Sequence, residues 1–293
     1  MLTSLNTIGD FINFAFTEFK RKKICFGHGT TNAWDEAIYL VLSLLHLSCN
    51  SNAKTFNKRL KVDEKQIVFA GIKSRIEKRI PTAYLVKEAW FLGRSFYVDN
   101  RVLIPRSPVA ELIARRFAPW IKTEKILRIL DIGTGSGCIA ISLAYTFPNA
   151  IVDAIDISFD ALEVAAINCV RHKMTNRVRF LQSDLFEKLQ GEKYNIIISN
   201  PPYVSRKEMR KLPQEYVYEP EIALFGGKDG CDLIIKIIEN ASKYLASEGI
   251  LVVEVGNSAN NVIKKYKYLP FIWLEFERGD SEVFLLIKEQ IQL

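Results

Sequence analysis

Along the first eighty residues, apolar positions recur every three or four places. Phe11, Ile12, Phe14, Ala15 and Phe19 fall on one side of a helix around 8–19, and a second such stretch covers 35–47. Lys61–Ile80 reads as a third, charged amphipathic helix with Ile67, Phe69, Ala70, Ile72 and Ile76 as candidate core contacts. Asp35 follows the loop 27–34 and suits a first helical turn, where negative charge is favoured. Pro81 is expected to end the helical region. From 84 to 104 the pattern changes: Trp90, Phe91, Phe96, Tyr97, Val98, Val102, Leu103 and Ile104 flank Gly93 and Asp99-Asn100, which predicts one or two β-hairpins. Beyond about 105, strands and helices alternate. Strands are expected at Ile126–Asp131, Ile151–Asp156, Val178–Gln182, Tyr194–Ser199 and Ile250–Val255, with a final pair at 271–276 and 282–287. Helices are expected at Gly137–Phe147, Asp160–His172 and Asp232–Ala246. This alternation predicts an α/β sheet with helices on both faces. The expected division is a helical domain 1–83, a β-hairpin linker 84–104 and an α/β domain 105–293.

Composition narrows the class. The 293 residues are 48% hydrophobic and 25% charged, which excludes a disordered chain, a collagen-like chain and a coiled-coil rod. The longest apolar runs, such as Ala37–Leu45, fall short of the roughly 18 residues a membrane helix needs. The N-terminal apolar stretch precedes its basic run instead of following it, the wrong order for a secretory signal. A core-facing helix explains it more simply than a membrane-surface one. The five cysteines include no CxxC pair, so neither a disulfide framework nor a zinc cluster is expected, and no metal site. Free thiols point to a reducing, cytoplasmic setting. The net charge of +7 is unevenly placed: residues 1–104 carry 16 Lys and Arg against 9 Asp and Glu, and the remainder balances. The basic third suits either a solvated surface or an acidic partner such as RNA.

Four motifs carry candidate chemistry. Asp131-Ile132-Gly133-Thr134-Gly135-Ser136-Gly137 follows a strand and opens a helix, where glycines let a ligand approach the main chain. It lacks the GxGxxG spacing of a dinucleotide loop and holds no basic residue for a pyrophosphate, which argues against an oxidoreductase. Asp156 ends the next strand, where an acid can accept from both hydroxyls of a ribose. Ser183-Asp184-Leu185-Phe186 follows the third strand; Asp184 could accept from an adenine amino group, with Leu185 and Phe186 packing the ring. The sharpest motif is Asn200-Pro201-Pro202-Tyr203 after strand Tyr194–Ser199. Two prolines fix φ and hold each preceding residue extended. The corner could present the Asn200 side-chain carbonyl and the Pro201 backbone carbonyl to one planar NH₂ group, with Tyr203 as the ring against which that group packs. His28 is one of three histidines, with no metal-like spacing, and reads as a structural loop residue.

Together these residues resemble the class I S-adenosylmethionine (SAM) methyltransferases with an NPPY motif, which methylate glutamine amides or the exocyclic amine of adenine. Val102-Leu103-Ile104-Pro105-Arg106 and the N-terminal helical region narrow the resemblance to the N5-glutamine methyltransferases. Gly27-His28-Gly29-Thr30, Asn32, Trp34-Asp35-Glu36-Ala37, Arg79-Ile80-Pro81, Ala83-Tyr84-Leu85, Phe96-Tyr97-Val98-Asp99 and Pro105-Arg106-Ser107-Pro108 resemble the PrmB family. Its substrate is a glutamine of large-ribosomal-subunit protein three. The sister PrmC family, which modifies release factors, usually carries Thr-Glu shortly after its Pro-Arg, where this chain has Val109-Ala110. PrmC-like chains also often carry tryptophan in place of Leu185.

The resemblance implies a Rossmann-like seven-stranded sheet with SAM as cofactor and S-adenosyl-L-homocysteine as product. It implies Asn200, Pro201, Pro202 and Tyr203 as catalytic, and Asp131, Gly133, Thr134, Gly135, Ser136, Gly137, Asp156, Asp184, Leu185 and Asn200 around the cofactor. It also implies a ribosomal-protein partner. Ribosomal RNA or a precursor particle is a further candidate partner for the basic N-terminal region. The alternatives are a release-factor methyltransferase, an adenine N6-methyltransferase and a non-catalytic ribosome-binding module.

Overall fold

The computed structural model describes residues 5–48, 51, 53–277 and 282–291. Thr7 starts the first helix, α1 (Ile8–Arg21), with a reciprocal cap: its hydroxyl accepts from the Asp10 N–H, and the Asp10 carboxylate accepts from the Thr7 N–H at 2.8 Å. Ile8, Phe11, Ile12, Ala15 and Phe19 are buried, so α1 is the core-facing helix its pattern suggests. α2 (Ala33–Leu44) is capped by the Asn32 side chain and carries Asp35 in its first turn. α3 (Ala53–Phe56), α4 (Val62–Glu77) and α5 (Thr82–Val86) follow. Pro81 does not end the helical region; it is the N-cap of α5, where a missing N–H costs nothing.

The face of α4 corrects the sequence reading. Val68, Gly71, Ile72 and Arg75 are buried, whereas Ile67 and Ala70 are exposed. A pattern that counts only apolar residues rotates the helix away from its true face, because one core position holds an arginine. Gly71 leaves room for Leu44, whose Cδ1 an added Cβ would strike.

One hairpin, not two, occupies the next segment: β1 (Ala89–Phe91) and β2 (Arg94–Phe96). A short helix absent from the sequence reading, α6 (Val109–Ala114), precedes the sheet. The alternating region then runs β3 (Arg128–Ile132), α7 (Cys138–Thr146), β4 (Ile151–Asp156), α8 (Phe159–Arg171), β5 (Val178–Gln182), β6 (Tyr194–Ser199) and α9 (Arg206–Met209). It continues with α10 (Asp232–Tyr244), β7 (Leu245–Glu254), α11 (Ala259–Lys265), β8 (Ile272–Leu274) and β9 (Val283–Ile287). The seven strands lie in the order β5-β4-β3-β6-β7-β9-β8, with β9 antiparallel to both its neighbours. Alternate residues of each strand feed two cores. Ile129, Val152, Ile196 and Val252 pack with α6 and α7, and Leu130, Ile155, Ile197 and Leu251 pack with α10 and α11. Near-continuous apolar strands are what a parallel sheet covered on both faces requires.

The chain forms two compact units: residues 1–89 with 213–218, and 90–212 with 219–293. Residues 213–218 thus belong with the helices although they lie late in the sequence. There Glu215 accepts from the Cys25 N–H at 3.0 Å and pairs with Arg79 at 3.3 Å and Arg75 at 3.5 Å. Arg75 also donates to Glu36 at 2.7 Å and to the Cys25 carbonyl at 2.8 Å. His28 is buried against Tyr216, ring centroids 4.5 Å apart. Cys25, Cys138, Cys169 and Cys231 are free thiols; Cys49 lies outside the described residues. Among the described residues no helix is long and apolar enough to cross a membrane.

Candidate active site

Strand order reverses about β3 and β6: β4 and β5 lie on one side, β7 on the other. In open α/β sheets such a switch point opens a crevice beyond the carboxyl ends of the strands. A cavity of about 420 Å³ lies there, within the usual range of small-ligand sites. The glycine loop leaves β3 into it, and the proline corner leaves β6 beside that loop.

The loop is built from below. Asp131, wholly buried, accepts at Oδ2 from the Thr134 hydroxyl at 2.7 Å and from the Ala140 N–H at 3.1 Å, tying β3 to the start of α7. Burial pushes its carboxyl up to about 7, against those two donors. Gly133, Gly135 and Gly137 all take positive φ, at 72°, 53° and 77°. At Gly137 an added Cβ would also sit 3.1 Å from Cβ of Ala165, so α7 and α8 can approach only without it. Asn168, buried in α8, donates to the Ser136 carbonyl at 2.9 Å and pairs with both backbone groups of Tyr97. Gly133, Thr134, Gly135 and Ser136 line the cavity, and a Cβ on Gly135 would meet open space. Asp131 and Gly137 instead shape the loop from behind.

Asp156 ends β4 with each oxygen already accepting one N–H: Oδ1 from Ser158 and Oδ2 from Gly135, both at 2.9 Å. A carboxylate has about four acceptor sites, so these N–H groups leave it acceptor capacity toward the cavity. Burial raises its pKa, opposed by those N–H groups. Ser158, not Asp156, caps α8. Asp184 lines the cavity half-buried, and its carboxylate accepts no hydrogen bond from the described residues. Leu185 lies beside it at φ 47°. Phe186 does not join them: it turns into the core and stacks on Tyr244 at 4.7 Å. The sequence reading missed Ile157, which lines the same wall and is 50% exposed. Its signal was an apolar residue directly after a strand-end acid, where a loop residue is usually polar.

At the corner, the Ser199 hydroxyl donates to the Ile132 carbonyl at 2.8 Å, locking β6 to β3. Asn200, Pro201 and Pro202 line the cavity. The Asn200 side-chain amide makes no hydrogen bond with the described residues. Tyr203 turns away: its hydroxyl donates to Glu254 at 2.8 Å. Arg106 also lines the cavity, held by Glu219 through two hydrogen bonds at 2.6 and 2.8 Å. Glu254 is a buried acid that sequence reasoning did not single out. The signal for Glu254 was a lone acid at the carboxyl end of the apolar run Ile250–Val255.

These features suit a nucleoside-bearing cofactor. Asp156 could hold a ribose, Asp184 an adenine amino group, and Ile157 with Leu185 the ring faces. The bare main chain of the glycine loop leaves space for the remainder. The SAM implied by the sequence resemblance meets these requirements.

A family model described as methyltransferase small domain matches residues 114–227. The chain is 42% identical over 292 residues to the ribosomal protein uL3 glutamine methyltransferase of Francisella tularensis subsp. tularensis, covering 99% of this chain and 93% of that one. It is 45% identical over 288 residues to the protein of the same name from Neisseria meningitidis serogroup B, covering 98% and 95%. Among solved structures, the catalytic domain of hMettl16 in complex with a MAT2A 3′UTR hairpin matches with a TM-score of 0.53 at 15% identity, over 80% of this chain and 85% of that one. At that identity the likeness concerns the fold alone.

Proposed function

The chain belongs to the ribosomal protein uL3 glutamine methyltransferases, and from that premise we propose that it moves the methyl group of SAM to the N5 amide nitrogen of a glutamine in ribosomal protein uL3. The observation that carries the chemistry is Asn200: a cavity-lining amide at a strand end, beside two prolines, with no partner among the described residues.

An amide nitrogen is a poor nucleophile because its lone pair is delocalised into the carbonyl. Bound SAM supplies an electrophilic methyl on a cationic sulfur, so the protein's task is placement. Asn200 Oδ1 and the Pro201 carbonyl accept the two N–H bonds of the acceptor amide and aim its lone pair. Both oxygens carry partial negative charge, which favours the positive charge that develops on nitrogen as the bond forms. Proline at 201 and 202 keeps this pair of acceptors rigid. Alignment at roughly 3–3.5 Å supplies the entropic share of the rate. No base is required before attack; the proton leaves to water afterwards. Asp156 and Asp184 anchor the nucleoside, and Asp131 keeps the glycine loop in shape from below.

The helical unit is the substrate-recognition part in this reading. Its exposed Lys20, Lys22, Lys23, Lys54, Lys58, Arg59 and Lys61 suit contact with ribosomal RNA next to the target. The free thiols and a ribosomal substrate agree with a cytoplasmic setting. The test is incubation of the enzyme and SAM with undermethylated uL3, free and in precursor particles, and with a release factor. A methyl on a uL3 glutamine supports the reading; a methyl on the release factor alone replaces the substrate. Binding to precursor particles should weaken steeply between 50 and 200 mM salt; affinity independent of salt would remove the RNA contact.

A further inference from the structure

Glu254 stands buried at the carboxyl end of β7 and takes donors from two walls of the cavity. Its Oε1 accepts from the Tyr203 hydroxyl at 2.8 Å and its Oε2 from the Ser107 hydroxyl. Tyr203 completes the proline corner, and Ser107 follows Arg106 on the facing segment. Pro202 and Ser107 belong to the cavity lining, whereas Tyr203 and Glu254 stand behind it.

The chain has made a socket for this tyrosine. An added Cβ on Gly256 would lie 2.5 Å from Cε2 of the ring, and one on Gly226 would lie 2.8 Å from Tyr203 Cα and 2.5 Å from the Pro202 carbonyl oxygen. The Ser258 hydroxyl donates to the Tyr203 carbonyl at 3.0 Å. Ring, main chain and hydroxyl are therefore all held. A second buried acid grips the facing segment from its other side: Glu219 accepts from the Ile104 N–H at 3.0 Å as well as from Arg106. Residues Ile104–Ser107 thus run between two buried glutamates, one of which also holds the proline corner.

We propose that Glu254 is a positioning residue for methyl transfer: by joining Tyr203 to Ser107 it fixes the Asn200-Pro201-Pro202 corner in register with the wall carrying Arg106. Tyr203 acts in this scheme as a latch and not as a surface for the acceptor amide. The proposal rests on the methyl-transfer reading above. Its physical basis is the sensitivity of an aligned transfer, in which a displacement of about 1 Å costs about 10²-fold in rate.

The test uses the full-length enzyme with SAM and uL3, with rates expressed per SAM-binding site so that misfolded protein does not count. Glu254→Ala should lower kcat about 10- to 100-fold, while the Kd for SAM and the KM for uL3 stay within about twofold, since Asp156, Asp184 and the glycine loop are untouched. Tyr203→Phe, which keeps the ring and loses the hydroxyl, should lower kcat about tenfold. Glu254→Gln, which still offers one carbonyl acceptor, should recover part of the Glu254→Ala loss. The double variant Tyr203→Phe with Glu254→Gln should be no slower than the worse single, because both act through one contact. Variants with kcat within about twofold of wild type, or effects that multiply in the double variant, overturn the latch. A wild-type enzyme that transfers no methyl overturns the functional reading itself, a result distinct from an active wild type with indifferent variants.

Discussion

Each unit of the molecule buries acidic side chains, and those of the helical core differ from those at the cavity of the sheet unit. In the helical unit Glu36 meets three side-chain donors: Arg75 and Thr82 donate to one oxygen at 2.7 and 2.8 Å, and Thr30 to the other. Glu215 takes the Cys25 N–H, Arg75 and Arg79 at one oxygen. In the sheet unit Asp156 meets backbone N–H groups and no cation, and Asp184 and Asn200 meet no side-chain partner among the described residues. Acids paired with cations of their own unit hold a fold together; acids at a strand end that meet no cation keep acceptor capacity for a ligand. Burial alone does not separate the two, because Asp131 is as buried as Arg75 and still belongs with the site.

The largest effect that sharpens this contrast falls on stability. Arg75→Met leaves Glu36 and Glu215 without their shared cation and should cost about 3–5 kcal/mol in denaturant unfolding of the helical unit. SAM affinity should hold, and a cost under about 1 kcal/mol would remove the structural role of the cluster. Next in size, Asn200→Ala should slow turnover about 10²–10³-fold, or about 2.7–4 kcal/mol in barrier, with unfolding little altered. Retention of a third of wild-type turnover would break the assignment. Asp156→Ala should weaken SAM binding by about 1.5–3 kcal/mol, roughly tenfold or more. Calorimetry showing unchanged affinity would remove its ribose role.

A further effect is one of pH, and its sign differs between the units. Burial pushes Glu215 up, but the N–H groups of Cys25 and Glu215 itself, with Arg75 and Arg79, outweigh it and hold the carboxyl below its usual range. Its stabilisation is therefore present above the ordinary carboxylate pKa of about 4.3 and is lost as pH falls through the lower folded value. Asp131 is pushed by burial up to about 7. Between its unfolded value of about 3.9 and that figure the folded state holds more protons, so the sheet unit gains stability as pH drops from 7 toward 4. Hydrogen exchange resolved by unit at pH 7, 5 and 3.5 checks this. Parallel responses would mean that the two acid clusters do not differ as described.

The sheet was legible because a covered parallel sheet writes itself as apolar runs, and the runs at 151–156, 178–182 and 194–199 match β4, β5 and β6 in full. The strand-end motifs were legible for a related reason. Topology brings successive carboxyl ends to one crevice, so the Gly133–Ser136 loop, Asp156, Asp184 and the Asn200–Pro202 corner could be placed along one cavity from their order. Other features were hidden. The face of α4 was misread because Arg75 occupies a core position that Glu36, Glu215 and the Cys25 carbonyl, far away in sequence, make tolerable. Phe186 was misplaced because the turn at Leu185, a non-glycine residue at positive φ, carries no sequence signal. Glu254 was not singled out, and no role could be read for Glu219, because their meaning lies in partners 147 and 113 residues distant, Ser107 and Arg106.

The central claim is that the open acceptors at the Asn200 corner direct a methyl group to an amide nitrogen. It is tested most directly by fragment mass analysis of uL3 after incubation with SAM and either the wild-type chain or Asn200→Ala. The account expects one methyl on the side chain of a single glutamine with the wild-type protein, formed about 10²–10³-fold more slowly by the variant. A methyl on any other type of residue, or equal rates from the two proteins, would contradict it.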